Sequence, residues 1–201
     1  MDMTKLPGSD VLAQDRIRLA LNFDAPRMQA EVHALNLGTF IYYDVAPLRA
    51  PAHLVDPSIA TPTSAVDDYA DGSWTEWLDT RALKESPYLT EVVDTFRAHT
   101  RVTLVRLLRL EAGAVVKEHN DPTLALEQQK SVIRLTIPIQ SNQGVEFFLN
   151  RVAVPMLPGE CWYLRLSDPH SIVNAGDSER INMTIDMLPN NWVRSLLLPS
   201  Q

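Results

Sequence analysis

A histidine and a carboxylate stand two residues apart in the motif His119-Asn120-Asp121. On an extended chain their side chains point to the same side, because successive side chains alternate between the two faces. A histidine nitrogen and a carboxylate oxygen can then bind one metal ion together. The alternative is a solvated loop before Pro122, since a chain with five histidines and many acidic residues can produce this spacing by chance.

A second histidine, His170, lies in the turn-like segment 167–171, after a predicted strand. Placed beside His119 and Asp121 from another strand, it completes a set of two histidines and one carboxylate. That set occupies one face of an iron ion and leaves the opposite face open for a cosubstrate, a substrate and oxygen. The alternative is a histidine hydrogen-bonded within its own loop, with no metal.

Arg180 begins a predicted strand ten residues after His170. A turn containing Gly176 can bring it back beside the metal, where its planar guanidinium suits a dicarboxylate through two charge-assisted hydrogen bonds. The alternative is a surface arginine paired with an acid of its own turn, Asp177 or Glu179. Taken together, the four residues point to a metal and cosubstrate site more specifically than any one of them.

The second half of the chain must supply the strands that position these residues. Strands are predicted over residues 102–110, 132–140, 145–149, 152–156, 161–166 and 180–188, with Asn150-Arg151 as a tight hairpin turn between two of them. Many short strands without alternating helices favour a sandwich or barrel, and a jelly roll fits best.

The first half of the chain is predicted to be helical and loop-like. The predicted elements are a helix capped by Asp10 and ending at Leu21, a helix capped by Asp24 over residues 24–35, an irregular proline-containing stretch over residues 47–62, and a helix from Ser86 or Pro87 to His99. We expect one domain, residues 1–201, in which a helical and loop region (1–100) packs on one outer face of a β core (101–195).

Composition narrows the classes of partner and the compartment. The formal net charge of −7 argues against nucleic acid or an anionic membrane surface as the main partner, because both require a basic surface. The single cysteine, Cys161, excludes an intrachain disulfide, and the first ten residues lack the pattern of a signal peptide. No apolar run reaches the length of a membrane span, so we expect a cytoplasmic protein.

Several stretches together resemble the aspartyl/asparaginyl β-hydroxylase family of Fe(II)/2-oxoglutarate-dependent dioxygenases, which includes bacterial proline hydroxylase relatives. The matching sequences are LEAG at 110–113, KEHND at 117–121, IRLTIPI at 133–139, PGECWYL at 158–164, DPHSIVN at 168–174 and RINMTID at 180–186. The resemblance is clear over residues 103–192 and looser from residue 23 onward.

The resemblance implies a double-stranded β-helix (jelly roll, cupin-like) with iron held at His119, Asp121 and His170. It also implies that Arg180 binds 2-oxoglutarate and that Arg134 lies near this cosubstrate. The reaction would consume molecular oxygen and 2-oxoglutarate and hydroxylate an amino acid, a peptidyl side chain or a related small molecule. Many members of the family carry histidine where this chain has Thr136 and Asn182, so details around the cosubstrate differ here.

Two other functions remain open from the residues alone. One is a cupin-like metal-dependent oxygenase that does not use 2-oxoglutarate and therefore does not need Arg180. The other is a non-catalytic jelly-roll binding module in which the two histidines and the aspartate are incidental. Metal content and succinate formation separate the three.

Overall fold

The computed structural model describes residues 14–37, 44–61, 76–124 and 132–197. The strands in these ranges are β1 (Arg16–Asn22), β2 (Asp44–Pro51), β3 (Trp77–Asp79), β4 (Val102–Leu110), β5 (Val115–His119), β6 (Ile133–Gln140), β7 (Val145–Leu149), β8 (Val152–Ala153), β9 (Glu160–Leu164), β10 (His170–Asn174) and β11 (Arg180–Met187). The helices are α1 (Ala25–Ala34), α2 (Ala52–Val55), α3 (Arg81–Lys84), α4 (Pro87–Arg97) and α5 (Asn191–Leu197), with a 3-10 turn at Pro122–Leu124.

The strands form two antiparallel sheets that face one another, which is the expected double-stranded β-helix. The large sheet has the order β1-β9-β6-β11-β4-β2-β3, and the small sheet has the order β5-β10-β7-β8. The predicted hairpin turn at Asn150-Arg151 is confirmed: both residues have positive φ, 51° and 63°, as a two-residue turn between twisted strands requires.

Helices α1 and α4 cover the outer face of the large sheet. The predicted cap of α1 is confirmed, since the Asp24 carboxylate accepts a hydrogen bond from the Arg27 N–H at 3.0 Å. The Glu31 carboxylate of α1 accepts the N–H groups of Tyr88 and Leu89 in the first turn of α4. Each helix is therefore held by an acidic side chain at the N-terminus where backbone donors are free.

The prediction of a helix ending at Leu21 is wrong. Residues 16–22 form β1, which pairs antiparallel with β9, while Asp10 lies outside the described residues. Ile17, Leu19 and Leu21 alternate with more polar neighbours, which is the period of a strand, and this pattern was the signal for the correct assignment.

The prediction of an irregular stretch over residues 47–62 is wrong for its first part, which forms the end of β2 and then α2. Pro47 is tolerated in β2 because β3 pairs only with Arg49–Pro51, so no neighbouring strand on that side needs the missing N–H. Pro62 lies outside the described residues. Because β1, β2 and β3 all join the large sheet, the first hundred residues supply strands as well as helices and loops.

Two apolar clusters lie on opposite faces of the large sheet. The larger cluster fills the space under the helices and includes Met28, Phe96 and Met183, all fully buried. The smaller cluster lies between the sheets and includes Trp162 and Leu164 of β9. Cys161 belongs to the helix side, where burial raises the pKa of its thiol, so it is an inert core residue as predicted. No helix among the described residues is long and apolar enough to cross a membrane.

Candidate metal and anion site

The three predicted metal ligands converge at one end of the space between the sheets. His119 is the last residue of β5 and His170 the first residue of β10, and the sheet register places them directly opposite each other. Their ring centroids are 4.2 Å apart. One ligand atom from each of His119, Asp121 and His170 lies within 4.8 Å of the other two, so a single metal ion can contact all three.

Local hydrogen bonds set the orientation of both imidazole rings. The Nδ1 atom of His119 lies 2.8 Å from the Lys117 carbonyl oxygen, and the Nδ1 atom of His170 lies 2.9 Å from the Asp168 carbonyl oxygen. A carbonyl only accepts, so each Nδ1 carries the proton and donates. The Nε2 lone pair of each ring is then free for a metal, which is the usual arrangement of metal-binding histidines.

The solvent exposure of the three residues decreases from His119 through Asp121 to His170. His119 is exposed, Asp121 is half-buried and His170 is only 5% exposed. Burial, together with the nearby His119, lowers the pKa of His170, which keeps its ring in the neutral form that binds metal. The Asp121 N–H donates to the Leu166 carbonyl at 2.8 Å, which fixes the segment that carries the carboxylate.

A polar network anchors the turn that precedes His170. The Asp168 carboxylate accepts hydrogen bonds from Arg165 and from the Asn150 amide, the latter at 2.7 Å. The Asn150 N–H also donates to the Pro169 carbonyl at 2.9 Å. The hairpin turn between β7 and β8 therefore holds the backbone from which His170 projects.

Beyond His119, Asp121 and His170, a cavity of about 440 Å³ extends between the sheets. Arginines of the large sheet line it (Arg106, Arg134 and Arg180), and the small sheet contributes mainly apolar residues such as Phe147 and Ile172. The cavity is thus basic on one wall and apolar on the other, which suits small anionic ligands that also carry a hydrocarbon part.

Arg180 is buried at the other end of this cavity and is 5% exposed. Within the described part of the chain it forms no ion pair, and its one polar partner is Asn182. With the Asn182 amide oriented to satisfy its hydrogen bonds, the amide oxygen accepts from the guanidinium. Burial lowers the pKa of Arg180 to about 10. A buried cation without a counter-ion is costly, so this position favours an anionic ligand.

Arg134 already has acidic partners in the protein. Its guanidinium donates two hydrogen bonds to the buried Asp186 carboxylate, at 2.7 and 2.8 Å, and lies 3.3 Å from the Asp121 carboxylate. Burial opposes the charge of Arg134, but Asp186 and Asp121 outweigh it and raise the pKa. Arg134 lines the cavity and also links Asp121 to the core through Asp186. Its position near the cosubstrate, implied by the family resemblance, stays a prediction.

The sequence left open which of Arg106 and Arg109 faces inward. Arg106 lines the cavity, whereas Arg109 points to the opposite side of β4 and lies 3.5 Å from Glu179. Asp186 is a residue of the site that sequence reasoning missed. The sequence pattern that indicates its position is the alternation of polar residues that begins at Arg180 and continues along β11.

Comparison with known proteins gives the same fold and a family. The family model described as aspartyl/asparaginyl beta-hydroxylase matches residues 65–189, well over half of the chain. The L-proline cis-4-hydroxylase of Rhizobium meliloti (strain 1021) is 28% identical over 126 residues, which are 61% of this chain and 44% of that enzyme. The chain therefore spans less than half the length of this relative.

Two solved structures share the architecture. A 2OG-Fe(II) oxygenase family oxidoreductase from Burkholderia pseudomallei has a TM-score of 0.52 at 12% identity, covering 88% of both chains. The viral collagen prolyl hydroxylase of Paramecium Bursaria Chlorella virus-1, solved with 2OG, has a TM-score of 0.51 at 9% identity, covering 90% of this chain and 98% of that one. At such low identity these likenesses concern the fold alone.

Proposed function

The chain belongs to the aspartyl/asparaginyl β-hydroxylase family, and on that premise we propose that it is an Fe(II)/2-oxoglutarate-dependent dioxygenase. Its substrate is an amino acid, a peptidyl side chain or a related small molecule, which it hydroxylates with molecular oxygen. One observation carries the proposal: a single cavity has two histidines and a carboxylate at one end and, at the other, the buried Arg180, which forms no ion pair among the described residues.

The donor set fits iron. Two neutral imidazoles and one carboxylate form the facial set typical of non-haem Fe(II), and the orientation of both rings leaves their Nε2 atoms available. His119, Asp121 and His170 would hold the ion, and Arg134 would keep the Asp121 carboxylate in place. Bound iron would supply the oxygen-activating chemistry of this class of enzyme.

The remaining cavity fits a dicarboxylate that reaches from the metal to Arg180. The guanidinium of Arg180 would receive the distal C5 carboxylate, because a carboxylate offers a charge and two acceptors where the described residues supply only the Asn182 amide oxygen. Asn182 lies beside Arg180 and would limit its rotation. The apolar wall around Phe147 would exclude water from the methylene groups.

Each of the two alternative functions leaves a different feature of this arrangement unexplained. A cupin-like oxygenase that does not use 2-oxoglutarate gives no reason to bury Arg180 without an acid. A binding module without metal gives no reason to align two histidines and an aspartate across β5 and β10. The dioxygenase accounts for both ends of the cavity.

The direct test is an anaerobic absorption spectrum of the Fe(II)-loaded protein with and without 2-oxoglutarate. We expect a visible charge-transfer band only when both are present. Stoichiometric Fe(II) binding without such a band would support the cupin-like oxygenase, and failure to bind Fe(II) at all would support the binding module. Succinate formation under oxygen gives an independent measurement.

We further propose that the protein acts in the cytoplasm and uses neither nucleic acid nor membrane as a partner. The net charge of −7 and the buried free thiol of Cys161 support this. Fractionation of the native cells would test the location, with recovery in the secreted or membrane fraction as the contrary result.

A further inference from the structure

Arg134 stands between two carboxylates, and its guanidinium is bound to them unequally. The Nε and Nη2 atoms donate to the two oxygens of Asp186 at 2.7 and 2.8 Å, whereas Nη1 lies 3.3 Å from one oxygen of Asp121. Two short, parallel hydrogen bonds are the strongest way in which a guanidinium binds a carboxylate. Arg134 is therefore held by Asp186, and Asp121 receives only the remaining edge of the guanidinium.

The sheet fixes the position of the Asp186 carboxylate. Asp186 of β11 and Arg134 of β6 are directly opposite each other in the strand register, and Asp186 is only 4% exposed. On the other side of β11, the Thr103 hydroxyl donates to the Asp186 carbonyl oxygen at 3.2 Å. Because hydrogen bonds on both sides hold this part of β11, Asp186 is a stationary counter-ion for Arg134.

Asp186 reaches the cavity only through Arg134. Arg134 and Asp121 both line the cavity, but Asp186 is not among the lining residues and lies behind the guanidinium. The Asp121 side chain is 33% exposed and that of Asp186 only 6%. The two carboxylates that share Arg134 are thus one buried acid, which the cavity does not expose, and one accessible acid beside the two histidines.

Asp121 cannot serve a metal ion and Arg134 equally well. A metal ligand must offer its carboxylate lone pairs to the ion, and a guanidinium that occupies the same lone pairs competes with it. Without Asp186, Arg134 would be a buried cation with Asp121 as its one acidic partner among the described residues, and the cost of an unpaired buried charge would favour that contact. The nearby Arg106 adds a second positive charge that repels Arg134.

We propose that Asp186 is a positioning residue: by binding Arg134 it keeps the Asp121 carboxylate available to the metal ion. This inference rests on the metal site of the proposed function and deepens it, because it assigns a task to an acid that touches neither the metal nor the cavity. Asp186 sets the metal affinity by deciding which carboxylate Arg134 binds.

Binding of Co(II), followed by absorption spectroscopy without 2-oxoglutarate or turnover, tests the proposal. Asp186→Asn should weaken Co(II) binding on the order of ten- to hundredfold, the usual effect of losing a group that orients a metal ligand. Asp186→Glu should retain most of the affinity because it keeps the charge. Glu160→Gln is the matched control, since Glu160 is a buried acid of the large sheet that pairs with Arg18 at 3.0 Å and does not line the cavity. It should bind Co(II) like the wild type.

A double variant shows whether Asp186 acts through Arg134. In the Arg134→Gln background there is no guanidinium to release, so adding Asp186→Asn should leave the Co(II) affinity unchanged. A direct effect of the Asp186 charge on the metal, or a purely structural effect, would weaken binding in both backgrounds and would overturn the inference. Circular dichroism of each variant establishes that it is folded.

A crystal structure of the wild type with Mn(II) gives a second measurement that needs no variant. Arg134 should keep both hydrogen bonds to Asp186 while Asp121 binds the ion, and a guanidinium that had left Asp186 for Asp121 would contradict the proposal. A wild type that binds Co(II) but shows no Fe(II) charge-transfer band with 2-oxoglutarate would remove the dioxygenase function and leave this inference standing. A wild type that does not bind Co(II) would overturn both.

Discussion

Strand β11 has two buried faces that differ in composition and in purpose. None of its residues is more than 5% exposed. On the helix side the strand presents Ile181, Met183, Ile185 and Met187 to the main apolar cluster. On the cavity side it presents Arg180, Asn182, Thr184 and Asp186.

The comparison shows that burial alone does not identify what stabilises the fold. The apolar face gains free energy for each unit of area removed from water. The polar face loses hydration. Asp186 recovers this loss through its ion pair with Arg134, whereas Arg180 has only the Asn182 amide as a polar partner among the described residues. The polar face therefore lowers the stability of the ligand-free protein, which is common at functional sites because a bound ligand supplies the missing interactions.

The largest effect should come from removing a metal ligand at the end of the cavity. His170→Ala or His119→Ala should abolish Fe(II) binding, because two remaining ligands cannot hold the ion in its facial set. The protein should stay folded, since both residues lie at strand ends. Equilibrium dialysis with Fe(II) and circular dichroism measure the two properties.

His33→Ala is the control for these variants, because His33 is an exposed histidine whose ring contacts Gln140 and lies outside the cavity. It should bind iron like the wild type. Full stoichiometric iron in either ligand variant would remove His119 or His170 from the site.

Arg180→Met tests the buried cation on the polar face, which has no ion pair among the described residues. Removing one partner of a buried charge-assisted pair costs on the order of 3–5 kcal/mol, so the 2-oxoglutarate dissociation constant should rise roughly a hundredfold to a few thousandfold. Fe(II) affinity should be nearly unchanged, and the ligand-free variant should not lose stability. Calorimetric titration of both ligands is the measurement; unaltered 2-oxoglutarate binding would move the role to Arg134.

Met183→Ala tests the apolar face of the same strand. Met183 is fully buried, so truncation should lower the free energy of unfolding by about 2–5 kcal/mol through lost burial and the cavity left behind. The folded fraction should bind 2-oxoglutarate as the wild type does. Urea unfolding with and without ligand provides both values.

Thr184→Val is the matched change on the cavity face, one residue further along β11. Because the Thr184 hydroxyl has no partner in the described residues, its replacement should not lower the free energy of unfolding. A large destabilisation by this change, or none by Met183→Ala, would contradict the distinction between the two faces.

The smallest effect concerns a polar network that lies outside both faces. Asp15 pairs with Arg16, and this hydrogen bond holds the pKa of the Asp15 carboxyl at about 2, below its usual 3.8. Since the folded pKa is the lower one, the stabilisation is present above pH 3.8 and is lost as pH falls toward 2. Asp15→Asn should therefore cost ~1 kcal/mol at pH 7, and the difference from the wild type should vanish in strong acid.

Chemical denaturation at several pH values measures the contribution of Asp15. Asp177→Asn serves as the control, because Asp177 is an exposed turn residue without an ion pair in the described residues. A difference between Asp15→Asn and the wild type that stayed constant down to pH 2 would assign its effect to something other than this carboxylate.

The strands that were predicted well are those with a strong local pattern. The bounds of β4 and β7 match the prediction, and β6 and β11 differ by one residue at an end. The helix predicted over the segment that forms β1 is wrong, because its two-residue alternation is the pattern of a strand and a possible capping residue at Asp10 does not override it. His170 is predicted to lie in a turn but begins β10, because the turn-forming residues at 167–169 directly precede it and the strand opens on the polar pair His170-Ser171.

The sequence by itself determined the residue types of the site, their order along the chain and the side of each strand on which they alternate. It did so because side-chain alternation is a local property of the backbone. Only the tertiary structure decided that Arg106 faces inward and Arg109 outward, and that Arg134 is paired with Asp186, 52 residues away. Those facts follow from the strand order and register of the two sheets, which depend on contacts between residues far apart in the chain.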